Sequence, residues 1–191
     1  LYIGPYMDGT VTNTFSNGAR TYTGGDSGGG AQPTSTIPMV LSKSWYVEVT
    51  WDNTDAGTQY CGIRFTNDPV ATTGPALALY YEDTGNKSLL SVSSSYGATY
   101  TDGDVIGIYY DSGEDELSFY KNGNDEGVAA TSVSDNGDIA FVCAFFGRSA
   151  DKVTLNAGQT AFTGTAPAGA LKLCTANLPA PAILDPSAHF N

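Results

Sequence analysis

Positive charge is scarce in this sequence: 8 Lys and Arg stand against 20 Asp and Glu, a formal net charge of −12. No basic stripe is present to neutralise phosphates, which excludes nucleic-acid binding as a function class and removes any attraction to an anionic membrane surface. Histidine is almost missing, with His189 the single example. One His and the scattered Cys61, Cys143 and Cys174 lack zinc-ligand spacing, so no metal is expected. Three cysteines cannot all pair within one chain, and those at 61 and 143 lie in apolar, strand-like runs. Buried free thiols are therefore expected, in keeping with a reducing cytoplasm, and a Cys61–Cys143 disulfide is the disfavoured alternative. Apolar runs of about 18 residues are lacking, as is any signal-like segment, so membrane insertion is not expected. No Gly-rich phosphate loop leads into a helix, so no nucleotide cofactor, and no cofactor of any kind, is expected. The first residue is Leu, not Met, and the chain reads as trimmed or as a piece of something longer.

What the chain does have is Gly (23), Tyr (12) and Phe (8) within 191 residues, only 15% of them charged. This disfavours helical bundles and coiled coils and suits one all-β domain of short strands and tight turns. Between Ser44 and Asp52, Trp45, Val47, Val49 and Trp51 share one face, the mark of a strand with one strongly buried side. Further strands are expected at 59–66, 76–82, 87–93, 105–111, 116–121, 139–146 and 152–156. Ser112–Asp115 reads as a hairpin loop and Asn122-Gly123 as a hairpin turn. The run from Ile139 suits a central strand covered on both faces. About ten such strands without a helical period predict an antiparallel β-sandwich. From Ala166 onward, Pro167, Pro179, Pro181 and Pro186 predict an extended, proline-bearing tail.

The block Gly103-Asp-Val-Ile-Gly-Ile-Tyr-Tyr-Asp111, with Leu117-Ser-Phe-Tyr-Lys-Asn-Gly123 and Gly127-Val-Ala after it, resembles the core of the SPRY domain family. So do Trp45-Tyr-Val-Glu-Val upstream and Val153-Thr-Leu-Asn-Ala-Gly158 with Phe162 downstream. The resemblance implies a concanavalin-like jelly roll over 15–169, preceded by a strand or linker at 1–14 and followed by an extended connector at 170–191. It implies structural roles for Trp45, Glu48, Gly103, Asp104, Gly107, Asp111, Leu117, Phe119, Asn122, Gly123, Asn156, Gly158 and Phe162. Two departures stand out: the family's Asn-Phe-Gly is Asn156-Ala157-Gly158 here, and its Gly before the paired tyrosines is Leu79. The stretch 171–186 is similar to tails that follow SPRY modules in bacteriophage virion proteins. That likeness implies a fibre or decoration protein on the virion surface, assembled in the host cytoplasm and present as a homo-oligomer or in many copies. Its implied partners are other virion proteins and a host-surface glycan or receptor.

The residues themselves argue against catalysis. Gly25-Asp-Ser-Gly-Gly29 matches the nucleophile loop of trypsin-like proteases, but a Ser nucleophile needs a His base, and His189 stands in the wrong chain order. Glu48 and Asp52 share a strand face yet are separated by roughly 13 Å, beyond the separation glycosidic catalysis uses. Glu114 and Glu116 fall at a hairpin corner, where charges are normally solvated. A calcium ion near Asp111, Glu114, Asp115 and Glu116 lacks the spaced oxygen pattern of an EF-hand. No catalytic residue is assigned. What remains is a binding surface in which Tyr80, Tyr81, Tyr96 and Tyr100, with Asp83 and Asn86, contact a partner or stack on a sugar. SPRY resemblance places the contacts in loops 52–57, 67–74 and 82–86. The reading is a non-enzymatic virion component with adhesive loops. The alternatives are a cellular SPRY protein-interaction domain and, further off, a carbohydrate-active enzyme.

Overall fold

The alternating run at 45–52 becomes a strand at the centre of one of two sheets. A computed structural model of the chain describes residues 3–4, 14–18, 20–24, 33–52, 59–66, 78–145 and 151–178. Its strands are β1 (Ile3–Gly4), β2 (Thr14–Ser16), β3 (Thr21–Thr23), β4 (Thr34–Ser35), β5 (Met39–Val40), β6 (Trp45–Asp52), β7 (Tyr60–Phe65) and β8 (Ala78–Glu82). They continue with β9 (Asn86–Leu89), β10 (Val92–Ser95), β11 (Val105–Asp111), β12 (Glu116–Lys121), β13 (Asn124–Thr131), β14 (Ile139–Phe145), β15 (Lys152–Asn156) and β16 (Leu171–Lys172). The first sheet runs β1-β4-β14-β7-β8-β9-β10, with β5 also on β14; the second runs β13-β12-β11-β6-β15-β3-β2, with β16 also on β6. Pairing is antiparallel apart from β16 on β6. The helical elements among the described residues are two 3-10 turns, Val133–Asn136 and Thr175–Asn177. None of these helices is long and apolar enough to cross a membrane. The chain is thus an all-β antiparallel sandwich with the jelly-roll arrangement expected from its sequence.

The core lies between the sheets. Trp45, Val47, Val49 and Trp51 of β6 are at most 2% exposed and meet Ile63, Leu79 and Tyr81 from the first sheet in one cluster. Each buried aliphatic of this kind contributes about 1.5–3 kcal/mol. Strand β14 sits between β7 and the β4/β5 pair, as its unbroken apolar run predicts. Cys61 pairs with Ala144 and Cys143 with Gly62, so the period of two sends the thiols to opposite faces of the sheet. Cys61, Cys143 and Cys174 are thiols outside any disulfide, the first two buried and Cys174 half-buried, and burial pushes the Cys61 thiol up to about 12.

Three features depart from the reading of the sequence. First, the reverse face of β6 is not solvated at its start: Tyr46 and Glu48 are 1% and 2% exposed. The segment after β15 covers them, with Phe162 set edge-on to Tyr46 at 4.9 Å. The Glu48 carboxylate accepts the N–H groups of Thr163 (2.8 Å) and Gly164 (2.9 Å) and the Tyr46 hydroxyl (3.2 Å). Second, 87–93 is not one strand but the hairpin β9–β10, in which Val92 pairs with Leu89. Its turn residues Leu90 and Ser91 have φ of 51° and 71°. Such a turn normally advertises itself with Asn or Gly, and neither is there. Third, the connector expected from 170 begins inside the packed body. Leu171 and Lys172 pair with Trp45 and Tyr46, and Leu173 is fully buried in the core. At the other end, Ile3 and Gly4 pair with β4.

Glu48→Ala removes the shared acceptor of the Thr163 and Gly164 N–H groups, and a hydrogen bond to a charged group contributes about 1.5–3 kcal/mol. Urea unfolding should show a loss of about 3 kcal/mol; a loss under about 1 kcal/mol would mean the C-terminal cover is held by other contacts.

Candidate binding surface

The motif residues turn out to hold one another. Asp104 accepts the Asn122 side-chain amide at 2.7 Å and the Thr101 N–H at 2.8 Å, and lies 3.3 Å from the Lys121 ammonium. Asn122 in turn accepts the Val105 N–H at 2.8 Å. Gly-Asp at the start of β11 and Asn-Gly at the end of β12 are thus two halves of a single latch. A Cβ on Gly107 would stand 2.4 Å from the Tyr46 hydroxyl, which explains the glycine in mid-strand. Gly123 combines φ +83° with close approach to Gly164, while Gly103, at φ +83°, turns in open space. Leu117 and Phe119 are core residues at 0% exposure, as is Trp45, whose ring N–H donates to the Val40 carbonyl at 2.8 Å. Asn156 accepts the Gly158 N–H at 3.0 Å and donates to the Ala161 carbonyl at 3.1 Å, closing the turn after β15. The two departures from the family pattern are absorbed within the sandwich. Ala157 is 1% exposed in the core, and Leu79 lies in β8 opposite Leu89, not in a loop.

Asp111 accepts the Gly113 N–H and the Tyr109 hydroxyl, at 2.8 and 2.9 Å. Asp115 accepts the Tyr110 hydroxyl and both the N–H and hydroxyl of Ser134. Their oxygens are engaged by neighbours, and no group of three or more His, Cys, Asp or Glu able to hold a metal exists among the described residues. Asp52 is paired with Lys152, and Glu48 is enclosed, so these two carboxylates do not face a common space. The Gly25–Gly29 string lies outside the described residues.

The tyrosines proposed as a contact surface require correction. Tyr81 and Tyr100 are 0% and 4% exposed, members of the central cluster, and cannot stack on a ligand. Tyr81 sits 5.3 Å from Tyr96, 5.2 Å from Tyr100 and 5.5 Å from Phe119, ring to ring. The Tyr100 hydroxyl reaches the carbonyls of Gln59 and Tyr81 at 3.0 Å. Tyr80, on the opposite face of β8, is 6% exposed and packs with Ala78 and Cys143, its ring 5.9 Å from Tyr60. The physical reason is strand parity: consecutive tyrosines on β8 must face opposite ways, and both faces are covered there. Tyr96 is half-buried, and its hydroxyl donates to the Gly127 carbonyl and accepts the Phe119 N–H. Asp83 and Asn86 are half-buried at the β8–β9 turn, and burial raises the Asp83 carboxyl above its ordinary pKa. Residues 53–58 and 67–77, which contain most of two of the expected contact loops, lie outside the described residues.

A different surface emerges on the side where the sandwich stays open. The first sheet ends at β10 and the second at β13. Beside these edges lies a groove of about 350 Å³ lined by Leu79, Lys87, Leu89 and Leu90 on one side and by residues 128–131 of β13 with Asn136 on the other. Leu90, Val92 and Val128 are 38%, 68% and 45% exposed, the large exposed apolar side chains among the described residues. The reading of the sequence missed all three. Val92 and Val128 sit singly among Ser, Gly and Ala, and without a turn signal at Leu90-Ser91 nothing marked this strand pair as an edge.

The SPRY domain family profile matches residues 44–160, and the chain belongs to that family. No curated protein sequence matches it. Among solved structures it is similar to the SPRY domain of human HERC1, at 20% identity and a TM-score of 0.66, covering 78% of this chain and 94% of that one. It is also similar to a further human SPRY domain, at 15% identity and a TM-score of 0.57, covering 78% and 97%.

Asp111 is held below its ordinary pKa, chiefly by the Gly113 N–H. Asp104 and Asp115 are also lowered, partial burial being outweighed by the donors named above. A carboxylate depressed in this way stabilises the fold above its unfolded pKa of about 3.9, and the contribution is lost as pH falls through the folded pKa. Thermal melts should therefore show stability falling below about pH 4, with a shallower fall in Asp104→Asn. An unchanged slope in that variant would separate the latch from acid stability.

Proposed function

We propose that the chain is a non-enzymatic protein-interaction module. SPRY domains typically serve in protein–protein interactions. The observation that carries the reading for this chain is the placement of Leu90, Val92 and Val128. On a surface carrying a net charge of −12, the exposed large apolar side chains of the described residues gather at one open side. Apolar groups grouped in this way mark contact sites. Nearby polar groups are held in internal bonds, which gives a rigid frame suited to binding.

The more particular proposal places this module on a bacteriophage particle, as a fibre or decoration component binding neighbouring virion proteins and a host-surface glycan. Its support is the likeness of 171–186 to the tails of phage SPRY modules. The solved structures reported above are human SPRY domains, which supports the second reading, a cellular interaction domain. With Tyr81 and Tyr100 in the core, a sugar-stacking role falls to half-buried Tyr60 and Tyr96.

Selection of a random peptide library against the folded protein should enrich a consensus that binds in the micromolar range. Failure to enrich any peptide, with glycans bound instead, would overturn the interaction reading. Mass spectrometry of purified particles tests the virion proposal separately: many copies per particle are expected, and absence from the particle contradicts it.

A further inference from the structure

We infer that the free edge of β10 is a docking strand for an extended segment of another protein in which aliphatic residues alternate with Lys or Arg. The segment adds to the first sheet as a new outer strand. This rests on the interaction reading above and specifies its site and its partner's chemistry.

The register fixes what the edge offers. Val92 faces Leu89 across the two-residue turn and Ser94 faces Lys87, the hydrogen-bonded positions of such a hairpin. The N–H and C=O groups of Ser93 and Ser95 consequently point away from β9, toward the place of a further strand. Natural edges are normally blunted by charge, Pro, a bulge or a cover. The edge of the second sheet follows that rule, since β13 carries Asp125 and Glu126 and breaks register with β12 at two places. Strand β10 is Val-Ser-Ser-Ser, exposed throughout, with no charge and no Pro.

The two faces of this edge differ, and the difference defines the partner. On the inner face, Leu79, Leu89 and Val92 form a cross-strand row, and its first two members line the groove opposite Ala130. An aliphatic side chain on an added strand would extend that row and cover the 68% exposed Val92. On the outer face, the row is Tyr80, Ser88 and Ser93, and the Ser93 hydroxyl donates to the Glu82 carboxylate at 3.1 Å. A cation on the alternate positions of the added strand lies beside Ser93 and meets the surplus negative charge of the chain. Lys87, which also lines the groove, is held by the Ala129 carbonyl at 2.6 Å and lies over the Tyr96 ring. A second copy of this chain is disfavoured as the occupant, because each would bring the same net charge of −12. The turn adds a further sign: Leu90 holds a left-handed conformation, φ 51°, that is unfavourable for a non-glycine residue, and it lines the groove.

The probe is a fluorescent acetyl-Lys-Val-Lys-Val-Lys-Val-Lys-amide, titrated by anisotropy at physiological salt alongside its Glu-for-Lys counterpart. The Lys peptide should bind at least tenfold more tightly and slow hydrogen exchange at the Ser93 and Ser95 amides. Ser93→Pro removes an outward N–H, a change that edge strands tolerate, and should weaken binding at least tenfold. Val92→Glu, at the 68% exposed end of the inner row, tests the inner face independently and should weaken it as well. Equal binding of the Glu peptide, or binding untouched by both variants, would overturn the inference. So would a dimer in sedimentation that Ser93→Pro dissolves, which would make a second copy the occupant. If a library-selected peptide binds wild type and Ser93→Pro equally, the interaction reading survives while the edge inference falls.

Discussion

On the side where the sandwich is open, one tyrosine hydroxyl holds the loop after β10 to the first sheet and a second ties that loop to the second sheet. Tyr81 of the first sheet donates to the Ala98 carbonyl, and Tyr96, just past β10, donates to the Gly127 carbonyl on β13. Their rings pack against Phe119 from the second sheet, Tyr81 tilted and Tyr96 edge-on, so each bond is anchored in apolar packing that excludes competing water. The consequence is a fixed spacing between the β10 and β13 edges. The groove is therefore a feature of the folded core, and its shape does not depend on loop closure.

The same constraint decides which residues can be functional. A tyrosine whose ring fills the seam is unavailable to a ligand, which removes Tyr81 and Tyr100 from the binding surface and leaves aliphatic edge residues in their place. The family motifs are consumed in the same way. Asp104 and Asn122 latch β11 to β12, and Glu48 binds the segment that crosses behind β6. The chemistry of these polar motif groups is directed inward, at the chain's own backbone and side chains. A module built this way presents shape and edge hydrogen bonds to a partner in place of reactive side chains.

Much of this fold was legible in the sequence because its signals are local. The alternation of Trp45, Val47, Val49 and Trp51, the Asn122-Gly123 turn and the apolar run of β14 each specify one element and its buried face. The missed features depend on residues distant in the chain. Nothing near Tyr46 or Glu48 announces that Phe162 to Gly164 will cover them. The Leu90-Ser91 turn carries no Gly or Asn, and it is held from a distance in the chain by the Leu90 N–H, which donates to the Ala78 carbonyl at 3.0 Å. The paired tyrosines were read by their chemistry, which suits binding surfaces and cores equally; only the burial of both faces of β8 separates the two.

The claim on which the account turns is that the open side between β10 and β13 is the face that meets a partner. Amide chemical shifts of the whole domain, followed by NMR during titration with a library-selected peptide, test it most directly. The largest changes are expected at residues 90–95 and 127–131, with the β8–β9 turn at 83–85 little affected. Changes concentrated at 83–85, with 90–95 silent, would contradict it and return the binding site to the loop end of the sandwich.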